Sequence, residues 1–104
     1  VRHGPMVQIN QDVLVIALVS SGDRALQAGL LADIAKKTSR LLVLDCAPGP
    51  QTLPGHNIQL PACGSDEAKA VFALYCIQVL CLHHAQHRGV DPDNPDGLDA
   101  WIKL

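Results

Sequence analysis

Aromatic side chains are nearly absent from this sequence. Phe72, Tyr75 and Trp101 stand alone against 48% apolar residues overall. The core is therefore aliphatic, made of Val, Leu, Ile and Ala. Such a core suits a parallel sheet covered by helices, whose strands are buried on both faces. Lys and Arg form no run, and the formal net charge is -2. That balance argues against a nucleic-acid footprint and against a basic membrane-surface patch. Long apolar runs are also missing on this reading, because Asp12, Asp23 and Arg24 interrupt the longest candidate, so no bilayer span is expected. The N-terminus lacks the charged-then-apolar order of a secretory signal. Cys46, Cys63, Cys76 and Cys81 contain no CxxC pair, and two of them fall on an apolar helical stretch. They read as reduced, buried thiols acting as small hydrophobes, in a cytoplasmic protein, in preference to disulfides.

The 104 residues accommodate one domain at most. Residues 1–12 form a turn and lead-in. Val13 to Val19 is continuously apolar and β-branched, bounded by Asp12 and by Ser20-Ser21-Gly22, and predicts a buried strand. From Asp23 to Lys37 the period becomes helical, with Leu26, Leu30 and Ile34 on one face and Lys36 and Lys37 in the last turn. Gly29 lies inside this helix at a cost of about 1 kcal/mol relative to Ala, and is expected to mark close packing on the sheet. Leu41 to Leu44 predicts a second strand stopped by Asp45, so that strand, helix and strand make a βαβ unit. Ala47 to Gly55 is turn-rich, and Asn57 to Leu60 can supply a short third strand, closing a 13–60 unit. Ser65 or Asp66 caps the longest helix, which runs over 65–88 and ends at Gly89. Residues 89–104 are a Pro-stiffened tail.

Arg2-His3-Gly4-Pro5 is the most informative tetrapeptide. Gly4 opens backbone angles closed to other residues and Pro5 fixes the next turn, so His3 is presented on a rigid bend, where an imidazole could move protons near neutral pH. A plain loop histidine is the competing reading. Ser20-Ser21-Gly22-Asp23 sits where a strand feeds a helix. Free N–H groups and hydroxyls at the carboxyl end of a parallel strand make an anion site. Against that stands an ordinary N-cap, with Asp23 repelling a phosphate, and the cap is preferred. His83 and His87 share a helical face, but no third zinc ligand joins them. A structural His83, with His84 and His87 partly exposed, is more economical, and no metal is expected. Asp91, Asp93 and Asp96 lack the closing glutamate of a calcium loop.

Taken in order, the RHGP segment, the apolar strand, the helix, the second strand, the long helix ending in glycine and the final DPDxPxxL resemble the sugar-isomerase (SIS) family. The resemblance covers the whole chain but only the second half of that domain. It is nearest to the isomerase domains of glucosamine-6-phosphate synthases, and to phosphosugar isomerases and aminosugar-phosphate deaminases. In these a KHGP or RHGP motif opens the second half, and a histidine stands six residues before a glycine on the last helix, as His83 and Gly89 do here. Asp91, Pro92, Asp93, Pro95 and Leu98 match the terminal motif.

The resemblance implies a three-layer α/β/α fold with a parallel, flavodoxin-like sheet. It implies ring opening and C1–C2 proton transfer on a phosphorylated sugar, with His3 acting in ring opening and entering a neighbouring subunit's site. Arg2 and Gly4 would adjoin the substrate, with Ser20 and Ser21 as candidate contacts from the strand-to-helix turn and not from the resemblance. Ala100 occupies the place of the family's substrate-side lysine, and Lys103 comes three residues late, which puts amine-assisted chemistry in doubt. The family's general base and main phosphate loops lie upstream of the RHGP motif. The chain, which opens at Val1 directly into that motif, is accordingly expected to be a fragment or processed piece, inactive alone. A non-catalytic phosphosugar-sensing module is the alternative, and helix-mediated dimerisation without a ligand a weaker third. No cofactor is called for. The long helix carries more apolar surface than a small sheet can cover, and the sheet lacks neighbours at its edge. Both point to a homodimer, or to association with the missing N-terminal half.

Overall fold

The computed structural model describes residues 4–47, 52–61 and 64–94. His3, Arg2 and Ala100 lie outside them. Element order is a short 3-10 turn (Pro5–Gln8), β1 (Val15–Val19), α1 (Arg24–Ala35), β2 (Leu41–Asp45), β3 (His56–Gln59) and α2 (Asp66–His87). The chain divides into two compact units, Val1–Ala73 and Leu74–Leu104, with the division falling inside α2.

The first unit is a mixed α/β structure on a three-stranded sheet of order β1-β2-β3, in which both pairings are parallel. Val15 registers with Leu41 and Val19 with Asp45, while Leu42 registers with His56 and Asp45 with Gln59. The three strands therefore end together, with Val19, Asp45 and Gln59 in one row. β1 is largely β-branched and β2 largely leucine, the aliphatic composition typical of parallel strands. β3, with its sequence HNIQ, is exposed throughout and forms a polar sheet edge. The core gathers Val19, Leu41 and Val43 from the sheet, Leu31 and Ile34 from α1, Met6 from the 3-10 turn and Leu53. Thr38, fully buried, ties the unit's lower end by donating to the Val13 carbonyl at 2.8 Å and accepting from Arg40 N–H at 3.0 Å.

β2 does stop at Asp45, which is its last paired residue and whose carboxylate finds a cation there. Several expectations need correction. Leu26 is exposed, because the inward face of α1 is set by Ala28, Leu31 and Ile34. Gly29 is exposed and so marks no close packing. α1 ends at Ala35, leaving Lys36 as its C-cap and Lys37 beyond.

α2 is 22 residues long, and 70–87 contains no Asp, Glu, Lys or Arg. With a mean hydropathy of 1.3 it meets the length and composition of a membrane-crossing helix, which overturns the expectation that no segment does. The charges that interrupt the earlier apolar run are here confined to the first turn. Soluble core helices share this composition, so the property alone assigns no location. Ser65 caps α2, its Oγ accepting from Ala68 N–H at 3.3 Å. At the other end Gly89 (φ 70°) donates to Gln86 and Val90 donates to Ala85, the paired bonds of a Schellman motif. Ala73 is the only buried residue of α2.

Candidate functional site

The polar side chains of the first unit gather at the carboxyl row of the sheet, where open parallel sheets bind ligands. The row is assembled by three short connections: 20–23 after β1, 46–47 after β2, and the first turn of α2.

Asp45, buried at the end of β2, is held by Arg24 from the first residue of α1 in a two-pronged contact of 2.7 and 2.9 Å. A second acceptor contact, from Ala47 N–H at 3.0 Å, completes its shell. The Arg24 guanidinium, then the Ala47 N–H, hold the Asp45 carboxyl below its ordinary range against the opposing effect of burial. The same bond raises Arg24 further. This pair closes the middle of the row.

The 20–22 turn brings Ser20 and Ser21 to the predicted place. Both backbone N–H groups and the Ser21 hydroxyl are already engaged. Ser20 N–H donates to Gln27 Oε1 at 3.0 Å, and Gly22 N–H donates to Ser20 Oγ at 3.4 Å. Ser21 directs both its N–H (3.1 Å) and its hydroxyl (2.6 Å) at one carboxylate oxygen of Asp66. These two contacts hold the Asp66 carboxyl below its ordinary range. So Ser21 does bind an anionic oxygen, but the chain's own. The N-cap of α1 is Asp23, whose side chain accepts from Leu26 N–H at 3.0 Å, and not one of the serines. Ser20 and Ser21 are thereby released from capping. Lys69, one turn into α2, donates to the Cys46 carbonyl at 2.6 Å.

Gly4 adopts φ 71°, inside the left-handed region that its lack of a side chain permits. Pro5 follows at the start of the 3-10 turn, Val7 N–H donates to the Gly4 carbonyl at 3.0 Å, and Met6 anchors the turn in the core. The bend expected of the RHGP segment is present from Gly4 onwards.

The remaining sequence candidates disperse. His83, His84 and His87 are all exposed, so His83 is not packed into the helix end, against the expectation. Among the described residues no three His, Cys, Asp or Glu side chains converge as a metal site. Cys46 is buried, Cys76 half-buried and Cys81 exposed, against the expectation that the thiols are buried. Asp91 accepts from Asp93 N–H and the Asn94 amide, forming a local exposed turn. Sequence reasoning missed Arg24, Asp66 and Lys69. The available signal was Asp45: a carboxylate ending a buried strand demands a counter-charge, and Arg24 opens the helix that packs beside it.

No protein-family model, no curated protein and no solved structure matches this chain. What geometry alone defines is a small parallel α/β unit with a serine turn, an Arg–Asp pair and a lysine at the carboxyl end of its strands.

Proposed function

We propose that this chain is the second half of a phosphosugar-binding SIS domain, with a three-layer α/β/α arrangement completed by strands and a helix layer from an upstream half. The domain would bind a phosphorylated sugar and support ring opening and C1–C2 proton transfer between aldose and ketose forms. The observation that carries this reading is the placement of Ser21. Its N–H and hydroxyl converge on one anionic oxygen at the carboxyl row of a parallel sheet. The Gly4–Pro5 bend directly after His3 supports it. In this reading His3 is the group for ring opening, Arg2 and Gly4 adjoin the substrate, Ser20 and Ser21 adjoin its phosphate, and Asp66 yields Ser21 to the substrate. A sensing module that binds the same ligand without turnover is the second reading, and Ala100 favours it, since the family's substrate-side lysine is missing there.

The test is His3→Ala in the protein that includes the upstream half. Turnover of a hexose or aminohexose phosphate is expected to fall by at least about 100-fold, the scale of one acid–base group. Binding of the sugar phosphate, measured by titration calorimetry, is expected to persist. Unchanged turnover removes His3 from the mechanism. Binding with no turnover in the unaltered protein assigns the sensing role.

A further inference from the structure

Asp66 holds its carboxylate where no helix end relies on it. α1 is capped by Asp23 and α2 by Ser65, so Asp66 serves as the cap of neither. Instead one of its oxygens receives both the Ser21 N–H at 3.1 Å and the Ser21 hydroxyl at 2.6 Å. Two donors converging on one charged oxygen at these lengths make a seat that does not discriminate carboxylate from phosphate. The seat is braced from behind. Gln27 of α1 grips Ser20 on both sides, accepting from its N–H at 3.0 Å and donating to its carbonyl at 3.4 Å. The turn therefore has a support that is independent of Asp66. All these residues belong to the first compact unit.

We infer that Asp66 is an autoinhibitory stand-in for a phosphate monoester: the ligand must displace it from Ser21, and binding opens the contact between the 20–22 turn and the first turn of α2. The inference rests on the phosphosugar reading for the identity of the ligand and adds to it a device that sets affinity. Charge decides the exchange. A phosphate monoester carries a charge of about −1.5 to −2 at neutral pH and three acceptor oxygens, against one charge on a carboxylate. Its first oxygen takes both Ser21 donors. A second can accept from the Ser20 hydroxyl, whose oxygen is the acceptor for Gly22 N–H. Lys69 stands one turn after Asp66 and its charge already bears on that carboxylate, while its hydrogen bond goes to the neutral Cys46 carbonyl at 2.6 Å. A phosphate in the seat meets the same cation. Asp66, tethered close by, competes at high effective concentration. It lowers the apparent affinity by the fraction of molecules whose seat is open, and the ligand opens the contact by the same factor.

The test compares Asp66→Ala with Glu67→Ala in the full chain, titrated with inorganic phosphate and followed at the amide resonances of the 20–22 turn. Each variant loses one acid from the first turn of α2, so net charge and helix dipole change alike. Only Asp66→Ala vacates Ser21. It is expected to bind phosphate at least about 10-fold more tightly than the unaltered chain, as for a seat open in about a tenth of the molecules. Glu67→Ala is expected to stay within about 2-fold of the unaltered chain, since it leaves the seat filled. Adding Ser21→Ala to Asp66→Ala is expected to abolish the gain. In the unaltered chain, saturating phosphate is expected to move the Asp66 carboxyl carbon resonance to its position in the Ser21→Ala chain. Equal affinities of the unaltered and Asp66→Ala chains overturn the inference. So does an equal gain in Glu67→Ala, a gain that survives loss of Ser21, or no phosphate binding in any of the chains. Failure of the phosphosugar reading looks different. The ratio with inorganic phosphate then stands, while a hexose phosphate binds no tighter than inorganic phosphate to the protein that includes the upstream half. Hexose phosphate binding there that is indifferent to Asp66→Ala removes the stand-in and leaves that reading intact.

Discussion

Asp45 shows how one buried charge organises its neighbourhood. A carboxylate at the end of a buried strand is costly unless paired and hydrogen-bonded, and Arg24 supplies both at 2.7 and 2.9 Å. Its folded pKa lies below the ordinary 3.8, so its contribution to stability is complete above that value and is lost as pH falls through the lowered one. Arg24→Met removes the largest cause of the shift and leaves Asp45 without its cation. We expect a loss of about 2 kcal/mol at neutral pH, less than for a fully buried pair because Arg24 keeps a path to water. The acid limb of a urea-midpoint series from neutrality downwards should also become shallower. An acid limb as steep as that of the unaltered chain would show that the pair does not couple folding to pH. Ser21 teaches the converse lesson: its donors were readable as free in the sequence, and a distant carboxylate, Asp66, takes them.

Among the elements, β1, α1, β2 and α2 were legible because each has an unbroken period and clear punctuation. Val13 to Val19 anticipated β1 to within two residues, and the Gly89 stop of α2 is realised as a Schellman turn. The third strand was expected one residue late, since its polar HNIQ sequence carries no burial pattern and is positioned by pairing with β2. What starts it is Gly55. At φ 97°, a Cβ there would lie 2.7 Å from Leu41 Cγ and 2.8 Å from the Leu41 carbonyl oxygen, so the backbone passes against β2 where only glycine fits. Gly55→Ala is expected to cost about 2 kcal/mol in urea denaturation, through strain at the positive φ together with the clash. A loss under about 0.5 kcal/mol would mean that the turn relaxes at little cost.

At the scale of the molecule, the described residues leave much apolar surface open: along α2, at isolated positions such as Val7 and Leu26, and on the sheet, where Leu18 and Ile58 remain exposed with Leu14 just before β1. A parallel sheet uncovered on part of one face, with polar β3 at its edge, is a structure that gains by association. If α2 pairs between copies, folding and association are linked by mass action, and the thermal midpoint depends on concentration. A tenfold increase in protein should raise it by about 3 °C for a chain of this size. Replacing two exposed apolar residues of α2, Val71→Glu with Leu82→Glu, should remove that dependence. A midpoint independent of concentration in the unaltered chain would indicate that association adds nothing to its stability.

Hydrophobic period, β-branching and turn residues are local properties, and they alone determined the order of elements, the aliphatic core and the Gly4–Pro5 bend. Tertiary structure decided which polar groups meet. Asp66 reaches Ser21 across 45 positions and Arg24 reaches Asp45 across 21, contacts that no local spacing encodes. It also decided which faces stay uncovered, because exposure depends on what packs opposite. A helix apolar around much of its circumference carries no sequence mark of the side that will remain open.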